Sequence, residues 1–540
     1  MPEILANNPE RIQGRDALRS NIAAARAIAL TVKSTLGPKG MDKMIVDQAG
    51  NITITNDGVT ILKEMQIEHP AAKMLVEVAK TQENKVGDGT TTAVIIAGEL
   101  LSQAEGLIDQ GIHPSIIIRA YAQAEEFAQR RLISFSKPIE NRNTLHQIAT
   151  TAMTGKGIER YKEHLASLLI DALDHVRTQE SLNQENIKLE LEVGPTTEKS
   201  ELIVGIILDK ERVHPSMPSK IENAKILLVD IPLEVRSTDI DAKIQLSDPK
   251  QLQQFLEHEE QHLKSITTNI IQSGATVVIC QRGIDDLAQY YLAKANILAL
   301  RRVKKSDMEL LEKSTNAKIC SSLKDLTTAI LGSASTVEER LIGETKMVVV
   351  SGCPNAKAIT ILLRAPTPQN AQECKRACTD ALGDICAAIN DKRMLPGAGA
   401  TEIHLALALE EFAKTQSGRN QLAIQAYAKA LESIPHTLAQ NAGLDAMDSM
   451  TALKAAHQNG LSTLGINTQP STYTQAANQI NQMSNSNLLL NTEQEGIFEP
   501  LSIKTVALAS ATQVAEMILR IDDIILGKPK ENTNNSFKLD

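Results

Sequence analysis

Apolar periodicity changes twice along this chain of 540 residues, and this pattern limits the fold more than any other feature. From residue 18 to residue 36, apolar side chains recur at alternating steps of four and three, which predicts a helix over residues 16–35. Between about residues 201 and 360, short apolar runs typical of strands alternate with helical stretches. Long Ala- and Leu-rich helical patterns return after Pro396. The order helical, mixed, helical favours one domain formed by both ends of the chain, with the middle inserted into it.

A charged helical insert interrupts the mixed region. Ser247-Asp248-Pro249 supplies a cap and a first-turn proline, and the helix is predicted to run through Phe255-Leu256 toward residue 270. Elsewhere, helices are predicted at residues 91–109, 402–412 and 422–438, and strands at 44–46, 52–55, 203–208, 226–231, 275–279 and 347–350. A Gly50-Asn51 turn is predicted between the first two strands, the second of which alternates with period two.

The composition excludes several classes of function. Hydrophobic residues make up 42% of the chain but aromatic residues only 2%, with no Trp, so the core must be packed from aliphatic side chains. Modules that stack nucleic-acid bases need aromatic platforms and a basic surface, whereas this chain has a net charge of −9. The same acidity disfavours anionic membranes, and no apolar stretch approaches the roughly 18 residues of a membrane helix. The sequence therefore predicts no nucleic acid and no membrane as a partner.

The N-terminal sequence and the cysteines indicate the cellular compartment of the protein. Residues 1–7 lack a basic segment followed by an apolar run, so no secretory signal is predicted. The six cysteines form no CxxC pair, and no His pair stands near them at zinc spacing. We interpret them as scattered reduced thiols and predict a cytoplasmic protein.

The strongest local signal for chemistry is the loop GDGTTT at residues 87–92, directly before a predicted helix. Its glycines allow a tight turn, and the amides at a helix N-terminus point outward, an arrangement that binds phosphate. The threonine hydroxyls add donors, and the carboxylate of Asp88 is of the type that holds Mg²⁺ against phosphate oxygens. The alternative is an N-cap turn without a ligand. The loop is not a Walker A motif, because the required Lys is absent.

Three further segments have ordinary structural explanations when taken singly. The loop LGPKG at residues 36–40 ends a helix, because Gly takes a left-handed C-cap and Pro cannot continue the helix. Asp57, in the sequence Asn-Asp-Gly, is most simply a hairpin turn residue. Asp380 lies in a predicted helix, where an isolated Asp is usually a solvated surface charge. Taken alone, none of the three indicates a function.

The order of these motifs along the chain carries more information than any one of them. The order is LGPKG at 36–40, ITNDGVTIL at 54–62, GDGTTTAV at 87–94, TGKG at 154–157, DAL at 380–382 and a Gly-rich turn at 397–399. It resembles that of the group II chaperonins, which are the archaeal thermosome and the cytosolic chaperonin of eukaryotes. The resemblance covers nearly the whole chain, to about residue 525, and is stronger to the archaeal thermosome.

The resemblance implies a multidomain α+β chaperonin fold. Such a fold has a mainly α-helical equatorial ATPase domain, a small α/β intermediate domain and an α/β apical domain with a helical protrusion. The charged helical insert matches the protrusion that serves as a built-in lid, so no separate co-chaperonin lid is implied. The implied bounds are 1–141 and 399–526 for the equatorial domain, 142–211 and 364–398 for the intermediate domain, 212–363 for the apical domain with its protrusion at about 240–270, and 527–540 for a disordered tail.

The resemblance also implies the function, the cofactors and the site. Subunits of this family form homo- or hetero-oligomeric double rings, which bind non-native client proteins and enclose them in a chamber, driven by binding and hydrolysis of ATP with Mg²⁺. By family match, Asp57 and Asp380 are catalytic and position the attacking water. Asp88 binds Mg²⁺, and Lys156 senses the γ-phosphate, although a solvated loop lysine is the alternative for Lys156. The other implied nucleotide-binding residues are Leu36, Gly37, Pro38, Gly89, Thr90, Thr91, Thr92, Gly397, Ala398 and Gly399.

Several positions depart from the family pattern. Ala398 replaces the middle Gly of a Gly-Gly-Gly turn, and its methyl group is compatible with the turn only where φ is negative. Ala365-Pro366 follows the Arg of a hinge that usually reads Arg-Gly, which makes a stiffer joint. An Asn/Gln-rich segment with almost no charge at 467–495 lacks an identifiable Asp for the ribose, and Val506 stands where Gln is common. These departures leave open a diverged structural subunit with weak or no ATPase activity, whereas the three intact aspartates favour an ATPase.

Overall fold

In the computed structural model, the described residues are 10–47, 50, 52–176, 184–194, 196–234, 249–322, 326, 328–354, 358–468 and 488–526. Within these ranges, no helix combines the length and the apolar character that a membrane span requires. The predicted tail at 527–540, the start of the charged insert at 240–248 and residues 469–487 of the Asn/Gln-rich segment lie outside the described residues.

Helices dominate both ends of the chain, as the periodicity predicts. The α-helices are α1 (Gly14–Lys33), α2 (Gly58–Glu64), α3 (Pro70–Lys85), α4 (Thr90–Asp109), α5 (Pro114–Phe135), α6 (Arg142–Met153), α7 (Lys162–Val176), α8 (Pro249–Gln272), α9 (Asp286–Lys294), α10 (Lys305–Thr315), α11 (Pro368–Asp391), α12 (Ala400–Lys414), α13 (Arg419–Leu431), α14 (Ser433–Asn441), α15 (Ala446–Gln458), α16 (Thr492–Glu495) and α17 (Leu501–Leu519).

Strands are concentrated in the middle of the chain, with shorter ones toward the ends. The strands are β1 (Glu10–Gln13), β2 (Lys43–Val46), β3 (Ile52–Thr55), β4 (Lys137–Pro138), β5 (Ile187–Val193), β6 (Glu201–Ile203), β7 (Gly205–Leu208), β8 (Lys220–Val229), β9 (Val277–Cys280), β10 (Leu298–Leu300), β11 (Ile319–Cys320), β12 (Gly332–Ile342), β13 (Thr345–Ser351), β14 (Ile359–Ala365), β15 (Arg393–Pro396), β16 (Leu464–Ile466), β17 (Leu489–Asn491), β18 (Phe498–Pro500) and β19 (Asp523–Leu526).

The chain divides into two compact units. The first unit combines the residues up to Glu159 with those from Asp380 onward, and the second unit is Arg160–Thr379. The second of the two boundaries falls within α11. This division has the discontinuous form that the change in periodicity indicates, and the mixture of long helices with sheets confirms the multidomain α+β fold class. The bounds of the equatorial, intermediate and apical domains remain a prediction.

A helical core holds the first unit together. The predicted face of α1 is buried in it, with Leu18, Ile22 and Ala25 each less than 10% exposed, and α3, α4, α5, α12, α13 and α17 contribute the rest. Tyr121 and Tyr427 meet edge to face in this core, with ring centroids 5.4 Å apart. The Tyr121 hydroxyl donates to the Leu100 carbonyl at 2.9 Å, so its polar end is satisfied inside the core. These two rings are thus placed in a core of aliphatic side chains, as the composition requires.

Short strands fasten the segments of the first unit. Strands β2 and β3 form the antiparallel hairpin that the alternating pattern predicts, and β1 pairs with β19 in antiparallel register, Glu10 opposite Leu526. Strand β15 lies between β18 and β4, and β16 pairs with β17. The pairings of β1 with β19 and of β15 with β4 join residues from the first segment of this unit to residues from its second segment.

One predicted helix is wrong in its extent. The pattern at residues 422–438 predicts a single helix, whereas the structure has α13 and α14, separated at Glu432. Pro435 lacks the N–H that would donate to the carbonyl of Leu431 in a continuous helix, and its ring clashes with that carbonyl. The helix is therefore interrupted one turn before the proline.

The second unit contains a seven-stranded mixed sheet and a three-stranded sheet. The large sheet has the order β10-β9-β8-β12-β13-β7, with β11 also paired to β8, and the small sheet has the order β5-β14-β6. Strands β8, β9 and β10 are parallel, and every residue of β7, β9 and β10 is buried, as in a sheet covered on both faces. Helix α8 matches the later part of the predicted insert, and the side chains of Phe255 and Leu256 lie outside the described residues.

A buried histidine makes the first unit sensitive to acid. The imidazole of His404 stacks on Phe135 with ring centroids 3.9 Å apart, and burial, reinforced by the charge of Arg131, lowers the pKa of His404 to about 4. An unfolded His has a pKa near 6.5, so below this pH the unfolded chain binds a proton that the folded chain excludes. We expect the contribution of His404 to the free energy of unfolding to fall by about 1–2 kcal/mol between pH 7 and pH 5, after allowance for solvent screening. Urea unfolding at the two pH values measures this difference.

Substitution of His404 by Leu is expected to remove the His404 contribution and to leave that of His457, whose pKa burial also lowers, because the variant lacks a group to protonate only at position 404. The matched control is His262→Leu on α8, where the side chain is exposed and the difference between the two pH values should stay as in the parent. Equal acid sensitivity of the parent and His404→Leu would contradict the assignment to His404.

Candidate active site

The GDGTTT loop forms an open helix N-terminus. Gly87 and Gly89 have φ of 95° and 77°, which Gly adopts readily, and Gly89 is the N-cap of α4 without a capping side chain. Asp88 Oδ1 instead accepts a hydrogen bond from the Gly89 amide at 2.6 Å. A Cβ atom at Gly89 would lie 2.8 Å from the Ile503 side chain, so only Gly fits there. The first amides of α4 keep the free, partly positive character that binds anions.

A buried amide side chain holds this loop in place. Gln82, on α3, is fully buried, and its Nε2 donates to the Asp88 carbonyl at 2.8 Å and to the Ile503 carbonyl at 3.1 Å. The two bonds tie the loop to α3 and α17. The sequence analysis did not identify Gln82, because a Gln on a helix has no distinguishing local pattern.

Asp57 is the N-cap of α2, and its interpretation as a hairpin turn residue is wrong. Its carboxylate accepts from the Thr60 amide at 3.0 Å and from the Thr60 hydroxyl at 2.6 Å. The Thr90 hydroxyl, at the start of α4, also donates to it at 3.3 Å. A Cβ atom at Gly58 would lie 2.6 Å from Thr91 Oγ1. The N-termini of α2 and α4 therefore meet around the Asp57 carboxylate.

Two more loops of the motif series lie against each other. Asn56 Nδ2 donates to the Gly155 carbonyl at 3.1 Å, and a Cβ atom at Gly155, where φ is 80°, would lie 2.5 Å from the Pro38 Cα atom. Asn441 Nδ2 holds the end of α1 through the carbonyls of Lys33 and Leu36, at 3.1 and 2.9 Å. The loops at 36–40, 56–58 and 154–157 are thus neighbours.

Lys156 and Asp380 form an ion pair, with Lys156 Nζ 2.5 Å from Asp380 Oδ2 and side chains only 15% and 20% exposed. Burial raises the pKa of Asp380 to about 7, even though the positive charge of Lys156 opposes this. Burial alone would lower the pKa of Lys156, but the charges of Asp380 and Asp88 outweigh it and raise that pKa. The interpretations of Asp380 as a solvated surface charge and of Lys156 as a solvated loop lysine are both wrong.

In the Gly-rich turn before α12, Ala398 does not have the negative φ that its methyl group was expected to require. Its φ is 53°, in the left-handed region, where a residue with a Cβ atom is strained by about 1–2 kcal/mol. The turn is held by hydrogen bonds from the Ile466 amide to the Ala398 carbonyl at 2.9 Å and from the Gly397 amide to the Ile497 carbonyl at 3.0 Å. Gly399, with φ of 78°, is the N-cap of α12. The methyl group is accommodated by strain, not by a negative φ.

Not all predicted site residues share one environment. The charges of Asp380, Asp88 and Asp57 all act on Lys156, so these four residues form one electrostatic cluster. Leu36 is buried in the helical core, and Thr92 is only 8% exposed. The Gly397-Gly399 turn lies near Glu499, because a Cβ atom at Gly397 would be 3.2 Å from Glu499 Oε1. The sequence offers no identifiable Asp for the ribose in the segment 467–495. Residues 469–487 of that segment lie outside the described part of the chain.

A second group of buried charges, which was not predicted from the sequence, lies beside the loop. Lys504 Nζ lies 2.7 Å from Glu402 Oε1 and 2.6 Å from Glu499 Oε2, and all three side chains are mostly buried. Asp384, one helical turn after Asp380, is 3% exposed. An acidic residue among the apolar neighbours Ala381, Leu382 and Ile385 is the signal that could have identified Asp384.

The residues fit a phosphate group together with a magnesium ion. An uncapped helix N-terminus and a glycine loop without space for side chains suit phosphate oxygens, and Asp88 offers a hard oxygen ligand. Among the described residues, three or more metal-binding side chains do not cluster anywhere. This agrees with the usual habit of Mg²⁺, which takes one or two carboxylates and completes its shell with water and phosphate.

Comparison with known proteins identifies the class that this fold and site define. The sequence profile of the TCP-1/cpn60 chaperonin family matches residues 28–529, so the chain belongs to that family. Members of the family are ATP-driven chaperonins, and the chain is accordingly a group II chaperonin subunit with ATPase activity.

Individual relatives are archaeal. The chain is 52% identical to the thermosome subunit beta of Archaeoglobus fulgidus over 534 residues, which covers 98% of this chain and 95% of that protein. It is 50% identical to the thermosome subunit of Methanopyrus kandleri, covering 97% and 94% of the two chains. With the thermosome subunit of Pyrococcus horikoshii the identity is 48%, covering 99% and 96%. The resemblance inferred from the motif order is confirmed.

Proposed function

We propose that this chain assembles with like subunits into a double ring, which binds non-native proteins and encloses them under a built-in lid, driven by ATP and Mg²⁺. The observation that supports this proposal most strongly is the cluster of Asp57, Asp88, Lys156 and Asp380 at the open N-terminus of α4. A purely structural subunit would not need an ion pair and two further carboxylates at an uncapped helix end. The three aspartates therefore favour an ATPase over the diverged structural subunit.

Binding of the nucleotide is assigned to the loops. In this proposal the backbone from Gly89 to Thr92 receives phosphate oxygens, while Leu36, Gly37 and Pro38 and the Gly397-Gly399 turn border the rest of the nucleotide. Leu36 and Thr92 contribute through their backbone, because their side chains are buried. The Thr90 hydroxyl serves within the site, since it already donates to Asp57.

Hydrolysis is assigned to two aspartates and one lysine. Asp57 is fixed by donors from α2 and α4, so its carboxylate has a defined orientation in the site where it would position a water molecule. Asp380 is paired with Lys156, the cation that an anionic phosphate oxygen would attract. Phosphoryl transfer depends on alignment and on charge stabilisation more than on a strong base, which suits carboxylates that orient water.

Asp88 is the proposed ligand of Mg²⁺. The ion supplies positive charge to the phosphate oxygens when it is bound. Asp88 stands at the start of α4 with its carbonyl held by Gln82, so the loop that carries the ligand is anchored.

The cellular setting is also part of the proposal. The partners are non-native client proteins and like subunits, without nucleic acid, membrane or a separate co-chaperonin lid, and α8 belongs to the built-in lid. We place the protein in the cytoplasm, because six scattered cysteines without a CxxC pair suit a reducing compartment.

The decisive experiment measures two activities of the purified assembly together. We expect phosphate release from ATP that requires Mg²⁺, and ATP-dependent recovery of a chemically denatured enzyme diluted into the assembly. Suppression of client aggregation without phosphate release would instead support the structural subunit. Phosphate release without any effect on the client would contradict the chaperone function.

A further inference from the structure

Asp384 is a buried acid to which the proposed function assigns no role. It is 3% exposed, and its Oδ1 is buried without a hydrogen-bond partner among the described residues. Burying a carboxyl oxygen without a partner costs free energy, and burying an unpaired carboxylate costs several kcal/mol. A group in this state needs a ligand or a role that offsets the cost.

Asp384 lies on α11 close to the proposed nucleotide site. It follows Asp380 by four residues on α11, so the two carboxyl groups share one face of the helix. The helix touches the phosphate loop at the neighbouring residue, because a Cβ atom at Gly383 would lie 2.8 Å from the Val86 carbonyl oxygen and 3.1 Å from the Gly87 Cα atom. Asp384 therefore lies beside the loop that carries Asp88.

The two nearby lysines are already paired with other carboxylates. Lys156 is 2.5 Å from Asp380, and Lys504 is bound between Glu402 and Glu499. Burial, and after it the negative charge of Asp88, raise the pKa of Asp384 well above its usual range. This cluster thus contains more carboxyl groups than ammonium groups, and the unpartnered oxygen lies within the electrostatic reach of Asp88.

We propose that Asp384 is a second protein ligand for the divalent cation of this site, beside Asp88. Two carboxylates are the usual upper number for Mg²⁺, and they suit a hard cation that keeps water and phosphate as its other ligands. The inference rests on the proposed function, since it takes Asp88 as the first ligand. It goes further because α11, the helix that carries Asp380, would then contribute a ligand to the metal ion.

The test uses Mn²⁺ as the probe and the full-length assembly as the protein. Electron paramagnetic resonance counts free Mn²⁺ during titration, with and without ADP, in the parent and in Asp88→Asn, Asp384→Asn, Asp384→Val and Asp448→Asn. Asp448 is exposed on α15, so its variant removes the same charge away from the site. We expect Asp384→Asn and Asp384→Val to weaken Mn²⁺ binding about tenfold or more, and Asp448→Asn to leave it unchanged. The rise in unfolding temperature that Mn²⁺ causes in the parent should shrink in the two Asp384 variants.

The outcomes separate the two proposals. Parent-like Mn²⁺ affinity in Asp384→Val, together with weakened binding in Asp88→Asn, overturns the role of Asp384 and leaves Asp88 as the ligand. Parent-like affinity in Asp88→Asn overturns the metal site of the proposed function itself. If Asp384→Asn does not assemble, Asp384→Val answers the same question, because Val is similar to Asp in size, tolerates burial and has no oxygen.

Discussion

Replacing Asp380 with Asn is expected to lower the rate of ATP hydrolysis by about a hundredfold or more, while nucleotide binding is retained. The Asn side chain keeps an oxygen that accepts from Lys156 Nζ, now 2.5 Å from Asp380, so the local geometry should persist. What is lost is the negative charge that orients a water molecule in the proposed mechanism. Phosphate release at saturating ATP, combined with a direct measurement of ATP affinity, separates the two effects.

The pH dependence provides a second readout for Asp380. Its pKa is raised to about 7, so the ionised fraction grows as the pH rises through neutrality. We expect kcat/KM of the parent to increase between pH 6 and pH 8 and the Asp380→Asn variant to lack this increase. The matched control is Asp391→Asn on the same helix, which keeps an oxygen to accept from the Ser502 amide. An Asp380→Asn enzyme with parental turnover would remove Asp380 from the mechanism.

Replacing Lys504 with Met is expected to destabilise the first unit by about 3–5 kcal/mol, the usual effect of removing one partner from a buried ion pair. The loss follows because Glu402 is only 3% exposed and Glu499 only 23%, so both carboxylates would remain buried without their common cation. Unfolding in urea, followed by helical circular dichroism, should show a marked fall in the midpoint.

A second substitution distinguishes charge from packing. Adding Glu402→Gln to Lys504→Met removes one of the stranded charges and should recover part of the lost stability. The control is Lys414→Met, because Lys414 pairs with Glu411 on an exposed surface and such pairs contribute at most about 1 kcal/mol. Equal effects of Lys504→Met and Lys414→Met would show that the buried network contributes little.

Features with a local cause were predictable from the sequence. The helix at α1 follows from the apolar steps between residues 18 and 36, and the β2–β3 hairpin follows from alternation around a Gly-Asn turn. The open N-terminus of α4 follows from glycines directly before a helical pattern. In each case the residues that decide the structure are within a few positions of it.

Features that depend on distant partners were not predictable from the residues alone. Asp57 lies in a sequence typical of a turn, and only its contact with Thr90 on α4 places it in the site. Asp380 is 224 residues from Lys156, so no local pattern indicates their ion pair. The resemblance of motif order brought Asp57, Lys156 and Asp380 together, whereas Gln82, Asp384 and Lys504 had no such signal and were missed.

The pairing of β1 with β19 sets the timing of folding during synthesis. Strand β1 leaves the ribosome first, yet its partner is among the last described residues to be made. At about 5–20 residues per second, that delay is on the order of 25–100 seconds. The second unit is continuous in sequence and is available to fold in the interval, whereas α4 and α5 cannot bury the surfaces that pack on α13 and α17 until those helices are made. The unfinished first unit is therefore the part of the nascent chain that most needs shielding from aggregation.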